Sequence, residues 1–158
     1  MVEIERKFLV DTKKWQPSGN GTQIKQGYLL AETHKTVRVR VKGKQAFLTV
    51  KGEPEGIKRT ELEYEIPVKD AGILLKMIEA FPVEKTRYIE KRGDFTWEID
   101  VFEGKNKGLV LAEVELENEN QQPELPEWVT KEVSEDERYF NYYLSKNPFS
   151  TWNKNQGK

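Results

Sequence analysis

An α+β chain dominated by antiparallel sheet is the fold class this sequence predicts, on three observations. The prevailing pattern has period two, its runs end at Gly, Pro or Asn, and only two segments change to helical spacing. Residues two apart on a strand share a face, so such alternation marks a sheet with one apolar and one polar side. MVEIERKFLV opens the chain and is followed by a polar turn at Pro17-Ser18-Gly19-Asn20-Gly21. The pattern returns in IKQGYLLAE, TVRVRVKG, QAFLTVKG and KRTELEYEIP, with turns near His34 and at GEPEG. Each run is about 6–10 residues long, as hairpin strands are.

KDAGILLKMIEAF changes the period. Ile73, Leu74, Met77, Ile78 and Phe81 follow helical spacing, with Asp70 expected as N-cap and Pro82 closing the segment. Strands resume in VEKTRYIEKRG, DFTWEIDVFEG and GLVLAEVELEN. A Pro-punctuated stretch around Trp128 leads to a last helix, for which Ser134 and Glu137 read as a capping box. Tyr139, Phe140, Tyr143 and Leu144 form its apolar side, and Asn147-Pro148 ends it. One domain is expected over residues 1–148, then a tail at 149–158 that is polar apart from Trp152. A sheet of about eight strands tends to curl, and closing it removes exposed edges.

Composition narrows the chemistry. Charged residues make up 34% of the 158, above the roughly one quarter of average chains, yet 26 basic and 27 acidic residues leave a net charge of only −1. That balance argues against non-specific nucleic-acid binding, which needs a basic excess. There is no cysteine, hence no disulfide frame, thiol nucleophile or thiolate metal site. His34 is the only histidine, which all but removes imidazole metal sites and Ser-His triads. A metal here would be held by carboxylates, which suits Mg2+ or Mn2+. No signal peptide and no apolar run near the roughly 20 residues of a membrane span is present, so a cytoplasmic protein is expected.

Assigning strand faces brings the charges together. Glu3, Glu5 and Lys7 share one side of the first strand, and Arg38 and Arg40 one side of TVRVRVKG. Lys51 lies with Thr49; Arg59, Glu61, Glu63 and Glu65 align on KRTELEYEIP; Lys85 pairs with Arg87 and Glu98 with Asp100. Glu113, Glu115 and Glu117 align opposite Ala112, Val114 and Leu116. A wet outer face explains any one of these strands. A polyphosphate with a divalent metal would satisfy the segregated signs together. Arg and Lys would take phosphate oxygens and carboxylates would hold the ion. Glu3 and Glu5, about 7 Å apart along the strand, could ligate one ion directly or through its waters.

These segments also resemble a known family. E-I-E-R-K is similar to the ExExK signature of the CYTH domain, or triphosphate tunnel metalloenzymes. The likeness continues in order through VRVRVKG, LTVKG, KRTELEYEI, EKTRY, WEIDVFEG, LAEVELE and SEDERYFN. It covers nearly the whole chain, and the short single-domain bacterial members are the nearest likeness. The resemblance implies a closed eight-stranded antiparallel barrel, open at both ends, with a few helices outside and at one mouth. It implies a triphosphate bound inside with Mg2+ or Mn2+. Carried over by position, Glu3, Glu5, Glu113 and Glu115 resemble metal ligands, with Asp100 and Glu63 assisting. Lys7, Arg38, Arg40, Lys51, Arg59, Lys85 and Arg87 resemble phosphate clamps. Glu61 and Glu98 fall on the same faces without an assigned role.

The reaction expected is hydrolysis of a terminal phosphoanhydride, with Glu63, Lys85 and Tyr28 as candidate catalytic groups. Tyr28 either donates a hydrogen bond to a phosphate or is a barrel residue satisfied by a neighbour. Inorganic tripolyphosphate is the first choice of substrate, since it needs only the charges counted. Thiamine triphosphate, a nucleoside triphosphate or an RNA 5′-triphosphate end, class IV adenylyl cyclase chemistry, and a non-catalytic polyphosphate- or nucleotide-binding barrel are the alternatives. The expected partner is the small triphosphate alone, on a monomer or homodimer. The last helix either covers one tunnel mouth or simply packs on the barrel wall. The four Trp residues read as packing groups.

Overall fold

Period-two alternation resolves into nine strands in the computed structural model, which describes residues 1–152. They are β1 (Val2–Val10), β2 (Thr22–Ala31), β3 (Thr36–Lys42), β4 (Gln45–Lys51), β5 (Lys58–Ile66), β6 (Val83–Arg92), β7 (Phe95–Glu103), β8 (Val110–Glu115) and β9 (Val129–Glu132). The sheet runs β5-β4-β3-β2-β6-β7-β8-β1, and β1 pairs back onto β5 through Val2–Thr60, Glu3–Arg59 and Ile4–Lys58. Eight antiparallel strands therefore close a barrel, as expected. The ninth is a finding: β9 forms in the Pro-punctuated stretch by adding to Phe8, Leu9 and Val10, where β1 extends past β5.

The barrel is charged within and apolar without. Phe8, Trp97, Ile99, Ala112 and Val114 point outward and form a core with Trp15 and Trp128 laid over them. Trp97 is fully buried and meets Phe8 and Trp128, both at 5.6 Å between ring centroids. Over β3 and β4 the cover is helix α1 (Val68–Leu75), whose Ala71 packs on Val39 and Ala46. This helix is shorter than the spacing predicts and its N-cap position is Pro67, with no side-chain cap. Asp70 lies in the first turn instead, where a carboxylate still favours the positive helix end. Beyond Leu75 the chain leaves the helix and Ile78 settles over Gly27 of β2. A Cβ on Gly27 would come within 2.7 Å of Ile78 Cδ1 and Cγ2 and 3.3 Å of Leu75 Cδ2.

One end of the interior is apolar. Val83, Phe102 and Leu111 share the inward face with Gln26, Lys85 and Asp100 by register, and pack with Leu109, Val133, Tyr139 and Leu144. The C-terminal segment thus packs over this end, in line with the helices expected at one mouth. Its helix α2 (Asn141–Lys146) starts later than predicted. Ser134 is not its cap: the Ser134 Oγ accepts from the Lys7 backbone N–H at 2.9 Å and donates to Glu132 at 2.6 Å. Asp136 caps a short 3-10 turn, Glu137–Tyr139, by accepting from the Arg138 N–H, while Glu137 accepts from the Tyr142 hydroxyl. Of the expected tail, Phe149–Thr151 form another 3-10 turn and Trp152 stacks edge-on against Tyr139 and Phe149. Residues 153–158 lie outside those described. Among the described residues no helix is long and apolar enough to cross a membrane.

Gly27→Val should therefore lose about 1–3 kcal/mol of stability through overpacking beneath Ile78, despite the good strand propensity of Val. A denaturant titration measures it; an unchanged midpoint would contradict this packing.

Candidate active site

Inward side chains of the barrel line a cavity of about 260 Å³, somewhat below the roughly 300–1,000 Å³ of drug-sized ligand sites. Every strand of the closed barrel contributes to it. β1 gives Glu3, Glu5 and Lys7, β2 gives Tyr28, and β3 gives Arg38 and Arg40. β4 and β5 give Thr49, Lys51, Arg59, Glu61 and Glu63; β6 gives Lys85 and Arg87; β7 gives Glu98; and β8 gives Glu113 and Glu115. Phe140, Asn141 and Tyr142 join from the C-terminal segment.

The deepest pairing lies between β6 and β7. Arg87 straddles Asp100 with Nε–Oδ1 at 2.7 Å and Nη2–Oδ2 at 2.9 Å, and Lys85 Nζ reaches Asp100 Oδ2 at 2.7 Å. Burial alone would push Asp100 up, but Arg87 and then Lys85 outweigh it and hold this carboxyl well below its ordinary value. Burial pushes Lys85 the other way, down to about 7, with Arg87 and Arg40 adding to the effect against the pull of Asp100. The partners differ because two cations contact Asp100, whereas Lys85 shares that carboxylate with Arg87. Arg40 is likewise pushed down to about 9 by burial and then by Arg38 and Arg87.

The remaining cations are distributed around the wall. Lys7 Nζ donates to the Tyr139 carbonyl at 3.1 Å, lies 3.7 Å from Glu113 and sits 5.3 Å from the Phe140 ring centre. Lys51 bonds both oxygens of Glu3 at 2.9 and 3.1 Å, with Glu61 at 3.5 Å. Arg38 donates from Nη2 to Thr49 Oγ1, while its buried Nε has no partner among the described residues. Arg59 donates twice to the Gly52 carbonyl. The side chains of Lys85, Lys7 and Arg38 are 1%, 8% and 8% exposed and those of Asp100, Glu113 and Glu3 2%, 11% and 14%, against 31% for Glu98 and 40% for Glu63. Both signs reach the depth of the cavity, and Glu98 and Glu63 stand on its more open side.

Comparison with known proteins decides the family. The CYTH domain matches residues 1–146. This chain belongs to the CYTH family. An inorganic triphosphatase of Acetivibrio thermocellus is 45% identical over 151 residues, covering 95% of this chain and 97% of that protein. Another, from Nitrosomonas europaea, is 40% identical over 151 residues, covering 92% and 97%. A crystal structure of an inorganic triphosphatase superposes with a TM-score of 0.65 at 38% identity, over 90% of this chain and 93% of that one.

Within this CYTH barrel all the residues expected at the site reach the cavity except Asp100. That carboxylate, expected to assist a metal, lies on the inward face beneath Arg87 and Lys85, which engage both its oxygens. Glu61 and Glu98, previously without a role, approach Lys51 and Arg87 at 3.5 and 3.2 Å. Gln26 and Asn141 escape a reading that looks only for charge. Their signal was position: Gln26 lies two residues from Tyr28 on the inward face.

The carboxylates of β1 and β8 fit a hard divalent cation. Glu5 is driven well up by burial and by Glu113 and Glu3, whereas Lys7, a hydrogen bond from Glu5, and Arg87 hold Glu113 well down against burial. When both are ionised, each acid makes the other's charge more costly, a strain that a cation bound beside them would relieve. Among the described residues no three acids already converge into a cage.

Asp100→Asn should cost about 3–5 kcal/mol at neutral pH by leaving two cations buried without their counter-charge. The sign with pH follows from the depressed carboxyl: its contribution is present above the unfolded value of about 3.9 and is lost as pH falls toward the folded one. Stability curves from pH 7 to pH 2 should fall more steeply for the native chain than for the variant. Parallel curves would refute the Asp100 anchor.

Proposed function

We propose that this CYTH barrel hydrolyses inorganic tripolyphosphate to diphosphate and phosphate, with Mg2+ or Mn2+ as its cofactor. The observation that carries this reading is the barrel cavity lined by seven Lys and Arg clamps facing the carboxylates of β1 and β8. Arg38, Arg40, Lys85, Arg87, Lys7 and Lys51 would grip the phosphate oxygens, Arg by forked hydrogen bonds and Lys as point charges, with Arg59 nearer the β4–β5 connection. The unpartnered Arg38 Nε, buried in the wall, is a donor awaiting an anion.

Glu3, Glu5, Glu113 and Glu115 would hold the cation, which when bound neutralises phosphate charge and lowers the pKa of water. The water oxygen forms the new bond to the terminal phosphorus, the bridging P–O bond breaks with its electrons leaving on diphosphate, and Glu63 takes the proton. Lys85 and Tyr28 stabilise charge on the transferring group. The names of the two curated relatives support the inorganic substrate. Thiamine triphosphate is the second reading, because Tyr28, Phe140 and Tyr142 also line the cavity. Two of those are committed: Phe140 lies against Lys7, and the Tyr142 hydroxyl donates to Glu137. A cytoplasmic enzyme acting as monomer or homodimer completes the proposal, supported by the cysteine-free composition.

Phosphate release from tripolyphosphate, ATP and thiamine triphosphate, each with Mg2+, Mn2+ or chelator, tests the reading. Tripolyphosphate should turn over fastest, stop with chelator, and slow by about 10²–10³-fold in Glu5→Gln and in Lys85→Ala. No release from tripolyphosphate with either metal would overturn the assignment.

A further inference from the structure

Two neutral amides stand among the clamps. Gln26 is fully buried on β2, where its register partners are Arg40 on one side and Val83 on the other. Its Oε1 accepts from Arg40 Nε at 2.7 Å, and its Nε2 donates to Asn141 Oδ1 at 3.0 Å. The same Asn141 oxygen accepts from Lys85 Nζ at 3.1 Å. Lys85 continues to Asp100, and Asp100 to Arg87. One hydrogen-bonded chain therefore joins three cations, on β3 and β6, to the first residue of α2.

The orientation of both amides is dictated by chemistry. Arg40 has only donors, so Gln26 must turn its oxygen to it and its NH2 group toward Asn141. Asn141 then faces two donors, that NH2 and the Lys85 ammonium, and must present its oxygen to both. Neither amide could be reversed without setting donor against donor.

We propose that Gln26 and Asn141 are positioning residues for Arg40 and Lys85, holding these cations at the triphosphate without adding a counter-charge to the one Asp100 already supplies; this rests on the triphosphatase reading. A carboxylate at either position would make the same contact to its cation while neutralising it, leaving less charge for the substrate. An amide offers a dipole, so aim is fixed and charge is retained. The alternative is an internal polar contact that serves only to seat α2.

The test is steady-state turnover of tripolyphosphate with saturating metal by Gln26→Glu, Asn141→Asp and Asn141→Ala, beside melting temperatures. The two acidic variants keep size and shape, and each should raise KM by about tenfold or more while kcat changes less, as expected when cation charge for substrate binding is lost. Asn141→Ala frees Lys85 of its guide without adding charge, and should lower kcat/KM by about tenfold, the scale of a charge-assisted hydrogen bond. Melting temperatures near the native value would separate positioning from mere seating of α2. If Gln26→Glu fails to fold, the two Asn141 variants decide alone. KM and kcat within twofold of native in folded variants would overturn the proposal. An inactive native chain would instead defeat the triphosphatase reading, and is distinguished by that control.

Discussion

The structure depends on one buried carboxylate. Asp100 binds Arg87 through both oxygens and Lys85 through one of them, and all three side chains are nearly removed from solvent. Moving such charges from water is expensive, and their mutual attraction offsets the cost only where geometry and further hydrogen bonds are complete. Here the further bonds run outward: Asn141 from Lys85, Gln26 from Arg40, and Glu98 from Arg87. A barrel interior that must stay charged to bind an anion is thus kept intact by an acid placed behind its cations.

This inversion dictates where stability comes from. A small barrel ordinarily fills its interior with side chains, but this one has given most of that space to charge. Its apolar contacts are therefore outside, under Trp15, Trp128 and α1, and at the end covered by Tyr139 and Leu144. Coverage is uneven. Leu62 and Tyr64 on the outer face of β5 are exposed, and Glu63 between them is the most open of the candidate catalytic groups. The part of the wall proposed to handle water is among the least buried, whereas Lys85 and Arg87 on β6 are nearly removed from solvent.

Much of this was legible in the sequence because strand period converts directly into face. Once TVRVRVK, WEID and AEVE are strands, their alternate charges must share a side, and the barrel put that side inward. Depth was not legible. Glu98 and Asp100 are equivalent by period, yet Glu98 reaches the mouth and Asp100 lies beneath Lys85 and Arg87, a difference set by strand tilt and pairing with β6. Local rules failed where tertiary contacts competed. Ser134 looked like a helix cap but is used by the Lys7 backbone, so α2 begins later; β9 formed because β1 had an unpaired edge beyond β5. Gln26 carried no sign that charge counting could detect.

Glu63 and Glu98 are among the more open acids of the cavity. A triphosphate entering past Glu63 and Glu98 meets repulsion before it meets Lys85 and Arg87, unless a cation accompanies it. With a divalent ion bound to the chain the acids would serve as its ligands, and the buried cations would take the phosphates that the ion leaves unbalanced. The same carboxylates would then oppose the metal-free anion and admit the metal-bound one. The end packed with Val83, Phe102 and Leu111 is apolar and offers a phosphate no hydrogen-bond partner there. Electrostatics would thus choose the charged complex, and that end would not hold it.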